Sequence, residues 1–129
     1  MGEWNIPSDL KYMQTDEWLR LDGASGEIGI SDFAQDQLND IVFLELPEVG
    51  ATFAKGEVFG VVESVKAASD MVMPVGGTVT EVNSALEDDP EQINAKPYES
   101  WLIKITLSDP AEADALMDAA AYESFCETR

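Results

Sequence analysis

Gly56-Glu57-Val58-Phe59-Gly60-Val61-Val62-Glu63 runs into Ser64-Val65-Lys66-Ala67-Ala68-Ser69, and Asp70-Met71-Val72-Met73-Pro74-Val75-Gly76-Gly77 leads away again. The two outer runs are rich in β-formers and bounded by glycine or proline, the pattern of strands that end in turns. They read as the arms of a hairpin over about 56–76, and the middle hexapeptide is its tip. That tip sets one long cationic side chain, Lys66, among small residues. A lone amine on a small-residue tip is a handle for another protein to grip or modify, although an ordinary solvated lysine has the same surroundings. Glu63, three residues earlier, offers a local anionic mark. Gly77, eleven residues later, permits a close backbone approach where the return strand turns.

The composition excludes several function classes. With 129 residues the chain is long enough for one domain with its own core, free of metal or disulfide staples. Twenty-six acidic residues against seven basic ones give a net charge of -19. Nucleic acid and anionic lipid are thereby disfavoured, because each phosphate contact needs a cation. The same charge favours solubility and fast encounters with basic surfaces. No apolar run approaches the length of a membrane span. The start, Met1-Gly2-Glu3-Trp4-Asn5, lacks the basic and apolar regions of a secretory leader and the arginines of a transit peptide. The expectation is a cytoplasmic protein of bacterial type, ahead of a processed mitochondrial form. One cysteine, Cys126, leaves no internal disulfide, and the absence of histidine removes His-based triads, Cys-His pairs and His-based zinc sites. No metal site is expected, and the chain reads as something other than a self-sufficient enzyme.

Along the chain, Glu17–Leu21 and Glu27–Ile30 read as strands about a turn at Gly23–Gly26. Ser31 is an N-cap for a short helix that turns Phe33, Ala34, Leu38 and Ile41 toward the core. Further strands are expected at Ile41–Leu46, Thr78–Val82 and Trp101–Leu107. Asp89-Pro90-Glu91-Gln92 carries the capping chemistry of a short helix. Asp109-Pro110-Ala111-Glu112 repeats it, and Ala113, Leu116, Met117 and Ala120 then recur with helical spacing, which predicts one amphipathic C-terminal helix. Two β-rich halves flank the tip, as in a small sandwich with Lys66 at one end.

The octet Glu63-Ser64-Val65-Lys66-Ala67-Ala68-Ser69-Asp70 resembles the lipoylation site of the H proteins of the glycine cleavage system. Other blocks resemble the same family in the right order: Gly29-Ile30-Ser31-Asp32-Phe33-Ala34-Gln35, then Asp40 through Gly50, then Pro97-Tyr98 with Trp101-Leu102-Ile103-Lys104-Ile105. The resemblance spans roughly residues 8 to 126.

It implies a mainly β chain with short helices: a barrel-sandwich hybrid of the lipoyl/biotinyl hammerhead type plus a C-terminal helix. It further implies a single lipoyl-carrier domain over 1–129, with its core at about 17–107 and a helical segment at about 109–126. Lipoate would be carried in amide linkage at Lys66. Glu63 and Gly77 stand at the spacings that lipoate-attaching enzymes read; their plainer explanations are a solvated charge and a turn residue, and the reading favoured is recognition for Glu63 and a backbone requirement for Gly77. The implied function is non-catalytic: to shuttle the aminomethyl group of glycine from a pyridoxal-phosphate decarboxylase (P protein) to an aminomethyltransferase (T protein), and electrons to dihydrolipoyl dehydrogenase (L protein). Glu17 and Gln37 would line a pocket for the arm. Two departures stand out. Asp16-Glu17-Trp18 replaces the family's His-Glu-Trp, and Gln37 stands where a second histidine is common, so it can hydrogen-bond but not take a proton. An H-like protein that donates octanoyl or lipoyl groups in protein lipoylation is the alternative. A domain of a 2-oxoacid dehydrogenase complex would bring a Pro/Ala-rich linker, and a biotin carrier would have methionines where Val65 and Ala67 stand.

Overall fold

Short alternating runs broken by glycine and proline fold into two antiparallel sheets in the computed structural model, which describes residues 4–128. The start of the chain, Met1 to Glu3, read above as no secretory leader, lies outside the described residues, as does Arg129. The strands are β1 (Lys11–Tyr12), β2 (Glu17–Asp22), β3 (Ser25–Ile30), β4 (Ile41–Glu45), β5 (Thr52–Phe53), β6 (Val58–Ser64), β7 (Ala68–Val72), β8 (Gly77–Val82) and β9 (Ile103–Leu107). One sheet has the order β1-β2-β3-β9-β8-β5, and the other is β4-β6-β7. Their inner faces enclose Leu19, Ile28, Leu44, Val62, Met71 and Ile105, all buried. Each such side chain contributes about 1.5–3 kcal/mol relative to exposure. This is the barrel-sandwich architecture that the sequence led us to expect. Among the described residues no helix is long and apolar enough to cross a membrane.

The turn regions decide where helices begin and stop. Ser31 accepts the Ala34 amide at 3.2 Å and caps α1 (Asp32–Leu38). The sequence pattern offers Ile41 both to this helix and to the strand that follows. Asn39 ends the helix at a positive φ of 64°, its amide bonded to the Gln35 carbonyl at 3.0 Å, and Ile41 enters β4. Two four-residue helices follow, α2 (Ala85–Asp88) and α3 (Gln92–Ala95). The Asp89 carboxylate accepts from the Gln92 side-chain amide at 3.1 Å rather than from a backbone N–H, so the expected cap is only half formed.

The single C-terminal helix expected over Ala113 to Ala120 does not form. Asp109 caps a 3₁₀ helix, Pro110–Ala115, and the chain then extends. Tyr12 and Met117 exchange backbone hydrogen bonds at 2.8 and 2.9 Å, which claims the backbone at the helix's expected centre for a β-bridge. Asp118 then caps α4 (Ala119–Glu127), whose Tyr122 ring stacks on Tyr12 with centroids 4.6 Å apart. Trp18, Phe33 and Tyr98 complete this second, aromatic cluster.

Gly77 begins β8 between Phe53 and Leu107, and its φ is not positive. The need for glycine there comes from close approach, not from a turn. A Cβ would stand 2.6 Å from the Thr106 carbonyl oxygen and 3.0 Å from the Ile105 side chain. Gly77→Ala is therefore expected to lower the urea-unfolding free energy by about 1–3 kcal/mol. An unchanged value would show that β8 and β9 part there without cost.

Candidate functional site

The β6–β7 hairpin closes through Ser64 to Ala67. The Ser64 amide donates to the Ala67 carbonyl at 2.7 Å, and the Ser64 hydroxyl oxygen accepts the amides of Lys66 and Ala67 at 3.1 and 3.0 Å. Serine serves here because its short hydroxyl reaches nearby backbone groups and satisfies a turn. The Val65 amide donates to the Asp40 carbonyl at 3.0 Å and ties the tip to the start of β4. The backbone is thus held while the Lys66 side chain stays exposed. Its Nζ donates to the Gln37 carbonyl at 3.3 Å and makes no ion pair with a described residue. Long and solvent-exposed, this bond competes with water, so the amine remains accessible.

Beside the tip lies a cleft of about 140 Å³ between the hairpin and the end of α1. Ile30, Ala34, Leu38, Val62 and Met71 supply its apolar wall; Asp16, Glu17, Gln37, Ser69 and Asp70 supply the polar one. Larger surface hollows exist, one of about 480 Å³ along Arg20, Glu27 and Lys104. That hollow, and those of about 250, 330 and 420 Å³, have no lining residue in the tip, residues 64–69. Proximity to the displayed amine, rather than size, singles out the smaller cleft.

Glu17 is a buried carboxyl of this region, with 1% of its surface exposed. It opens β2 and reaches across to the other sheet, where one carboxylate oxygen accepts the Val72 amide at 2.9 Å. The other oxygen accepts the Thr15 hydroxyl. Burial pushes its pKa up to about 7, against the opposing pull of the hydrogen bonds from Thr15 and Val72; the neighbouring Asp16 adds to the rise. A carboxyl that titrates near neutrality can hold or release a proton in the working range.

The structure brings together three of the five residues singled out in the sequence. Lys66 meets the Gln37 backbone, and Gln37 and Glu17 line one cleft. Glu63 lies half-buried on β6, paired with Phe43 and Ala68 and alternating with the buried Val62, which sets it on the hairpin's outer face. Gly77 lies past the base of the hairpin in the other sheet. Sequence reasoning passed over Asp16, Ser69 and Asp70 as cleft residues. Ser69 could have been found, since it alternates with Asp70 onto the face of the inward Met71 and pairs with the buried Val62.

A family model for the glycine cleavage H-protein matches residues 10–129. The glycine cleavage system H protein of Symbiobacterium thermophilum is 57% identical over 122 residues, which cover 94% of this chain and 95% of that protein. Glycine cleavage system H protein 2 of Pseudomonas aeruginosa is 54% identical over 121 residues, 93% of this chain and 94% of that one. The crystal structure of a glycine cleavage system H protein from Mycobacterium marinum superposes with a TM-score of 0.84 at 37% identity, covering 92% of this chain and 97% of the other. A displayed lysine, a sheltered cleft beside it and matches over nearly the full length lead to one conclusion: this chain belongs to the glycine cleavage H-protein family.

Proposed function

We propose that this chain is the lipoyl carrier of a glycine cleavage system, with lipoate in amide linkage to Lys66. The observation that carries the reading is the Lys66 amine, exposed on a hydrogen-bonded tip and bound only to a neutral carbonyl among the described residues. Lipoate supplies a redox-active disulfide and a sulfur that can hold a one-carbon unit, chemistry that a chain with one buried cysteine and no histidine lacks. The chain's own work is physical. Ser64 and Asp40 fix the tip, so that a partner meets the amine in one geometry. Ile30, Leu38 and Met71 form an apolar wall that keeps water from a guest in the cleft. Glu17 and Gln37 present an acid near its titration midpoint and an amide to that guest. Glu63, on the outer face three residues before Lys66, is read by the lipoate-attaching enzyme. Gly77 serves that recognition through the shape its close packing allows.

The partners follow from this role: the pyridoxal-phosphate glycine decarboxylase, the aminomethyltransferase and dihydrolipoyl dehydrogenase. With a net charge of -19, docking to basic partner surfaces is electrostatically steered, and each partner's turnover should slow as salt rises. We further read the chain as one non-catalytic carrier domain that works in the cytoplasm, a setting supported by its bacterial relatives. Reconstitution with the decarboxylase tests the function. Exchange of the glycine carboxyl with bicarbonate should require the lipoylated chain and fall to background with the bare one. A lipoylated chain that supports no exchange but donates its acyl group to a 2-oxoacid dehydrogenase would assign it to lipoyl relay instead.

A further inference from the structure

Asp16 is one of two described non-glycine residues with positive φ, at 83°, and it directly precedes Glu17. A left-handed aspartate is uncommon and persists where its surroundings enforce it. Its surroundings are specific. The Asp16 amide donates to the Met13 carbonyl at 2.8 Å, and its carbonyl accepts the Ser31 amide at 2.9 Å. Its side chain accepts the Tyr122 hydroxyl at 2.7 Å, across 106 positions of sequence. The Tyr122 oxygen lies 2.6 Å from the Ser31 hydroxyl. Because Tyr122 gives its proton to Asp16, Ser31 must donate to Tyr122, and its own oxygen stays free to accept the Ala34 amide as the cap of α1. One set of proton positions satisfies the whole chain of bonds.

Two segments that line the cleft start from this knot. Asp16 sets the direction in which β2 begins with Glu17. Ser31 starts the helix that ends near Gln37 and Leu38. Tyr122 is itself fully buried and stacked on Tyr12. Burial pushes its phenol well above the ordinary range, with the Asp16 carboxylate adding to the rise, so it remains a donor at working pH.

We propose that Asp16 is a positioning residue, clamped by Tyr122 of the C-terminal helix so that Glu17 is aimed across the cleft at the Val72 amide. Its consequence for the arm rests on the carrier reading above; its geometry does not. The C-terminal helix thereby sets how firmly the cleft floor is latched to the return arm of the hairpin.

Amide hydrogen exchange on the chain before any group is attached to Lys66 tests this. The probe is the ratio of protection at Val72, whose amide meets Glu17, to that at Val79, whose amide donates to Ala51 at 2.8 Å in the other sheet. Tyr122→Phe removes only the hydroxyl, and Asp16→Gly removes the acceptor while tolerating the backbone angle. Each should lower the ratio about tenfold, as one hydrogen bond's worth of latching is lost. Asp16→Asn keeps an acceptor and should restore the ratio to near the wild-type value. An unchanged ratio in either of the first two variants overturns the proposal, and so does a loss in Asp16→Asn equal to that in Asp16→Gly. Because general destabilisation moves both amides together, the ratio isolates positioning. Failure of lipoylation would show separately, in the mass of the Lys66 peptide.

Discussion

Lys66→Arg is expected to abolish acyl attachment and to reduce glycine–bicarbonate exchange to background, while the protein stays folded. Arginine preserves the charge and can still donate to the Gln37 carbonyl that now receives Nζ at 3.3 Å. It carries no amine that forms a stable amide with a carboxylate group, because the guanidinium stays protonated and delocalised. The turn that presents residue 66 is made by Ser64, Ala67 and Asp40 and is indifferent to the side chain. The melting temperature should therefore move by no more than about 2 °C, as for a surface change of a few tenths of a kcal/mol. Incorporation of labelled lipoate and the melting curve, measured on the same preparation, check both halves. A variant that unfolds would make Lys66 an architectural residue. A variant that still accepts lipoate would move the attachment to another lysine.

Glu17 should make the stability of the fold fall as pH rises through neutrality. Its carboxyl has an ordinary value of 4.5 and is raised to about 7, first by burial. Between those values the folded chain holds a proton that the unfolded chain has released. The stabilisation is complete below about pH 4.5 and is lost as pH climbs through about 7. The gap corresponds to about 3 kcal/mol. Glu17→Gln is the reference, since its amide can accept from Val72 and donate to Thr15 but does not titrate. Urea unfolding of both chains at pH 5 and pH 8 should show wild type losing about 2.5 kcal/mol relative to the variant, most of the full gap. The other carboxylates are common to both chains and cancel in that difference. An equal difference at both pH values would show that Glu17 stays ionised throughout.

The hairpin was legible because both arms carry β-forming residues and end at Gly56, Pro74 and Gly77, a purely local signal. Ser31 as a helix cap was legible for the same reason. The C-terminal helix misled because Ala113, Leu116 and Met117 have helical spacing, yet the Met117 backbone bonds to Tyr12 from the far end of the chain. Periodicity carries no information about such a pairing. Asp89 misled in a milder way: it spends its carboxylate on the Gln92 side chain. In the cleft, Glu17 and Gln37 came into view only through a family resemblance. Asp16 is only partly local: its backbone closes a short turn with Met13, whereas its side-chain partner Tyr122 lies 106 positions away. Contacts between distant segments of this kind exist only once the two sheets and the aromatic cluster have formed.

Peptide mapping of the chain isolated from a host that makes lipoate is the most direct test of the carrier assignment. Five lysines are candidates, Lys11, Lys55, Lys66, Lys96 and Lys104. One lipoyl group is expected, in amide linkage, on the peptide that contains Lys66 and on no other. A bare Lys66 in that host, or a lipoyl group on any of the other four, would contradict that assignment.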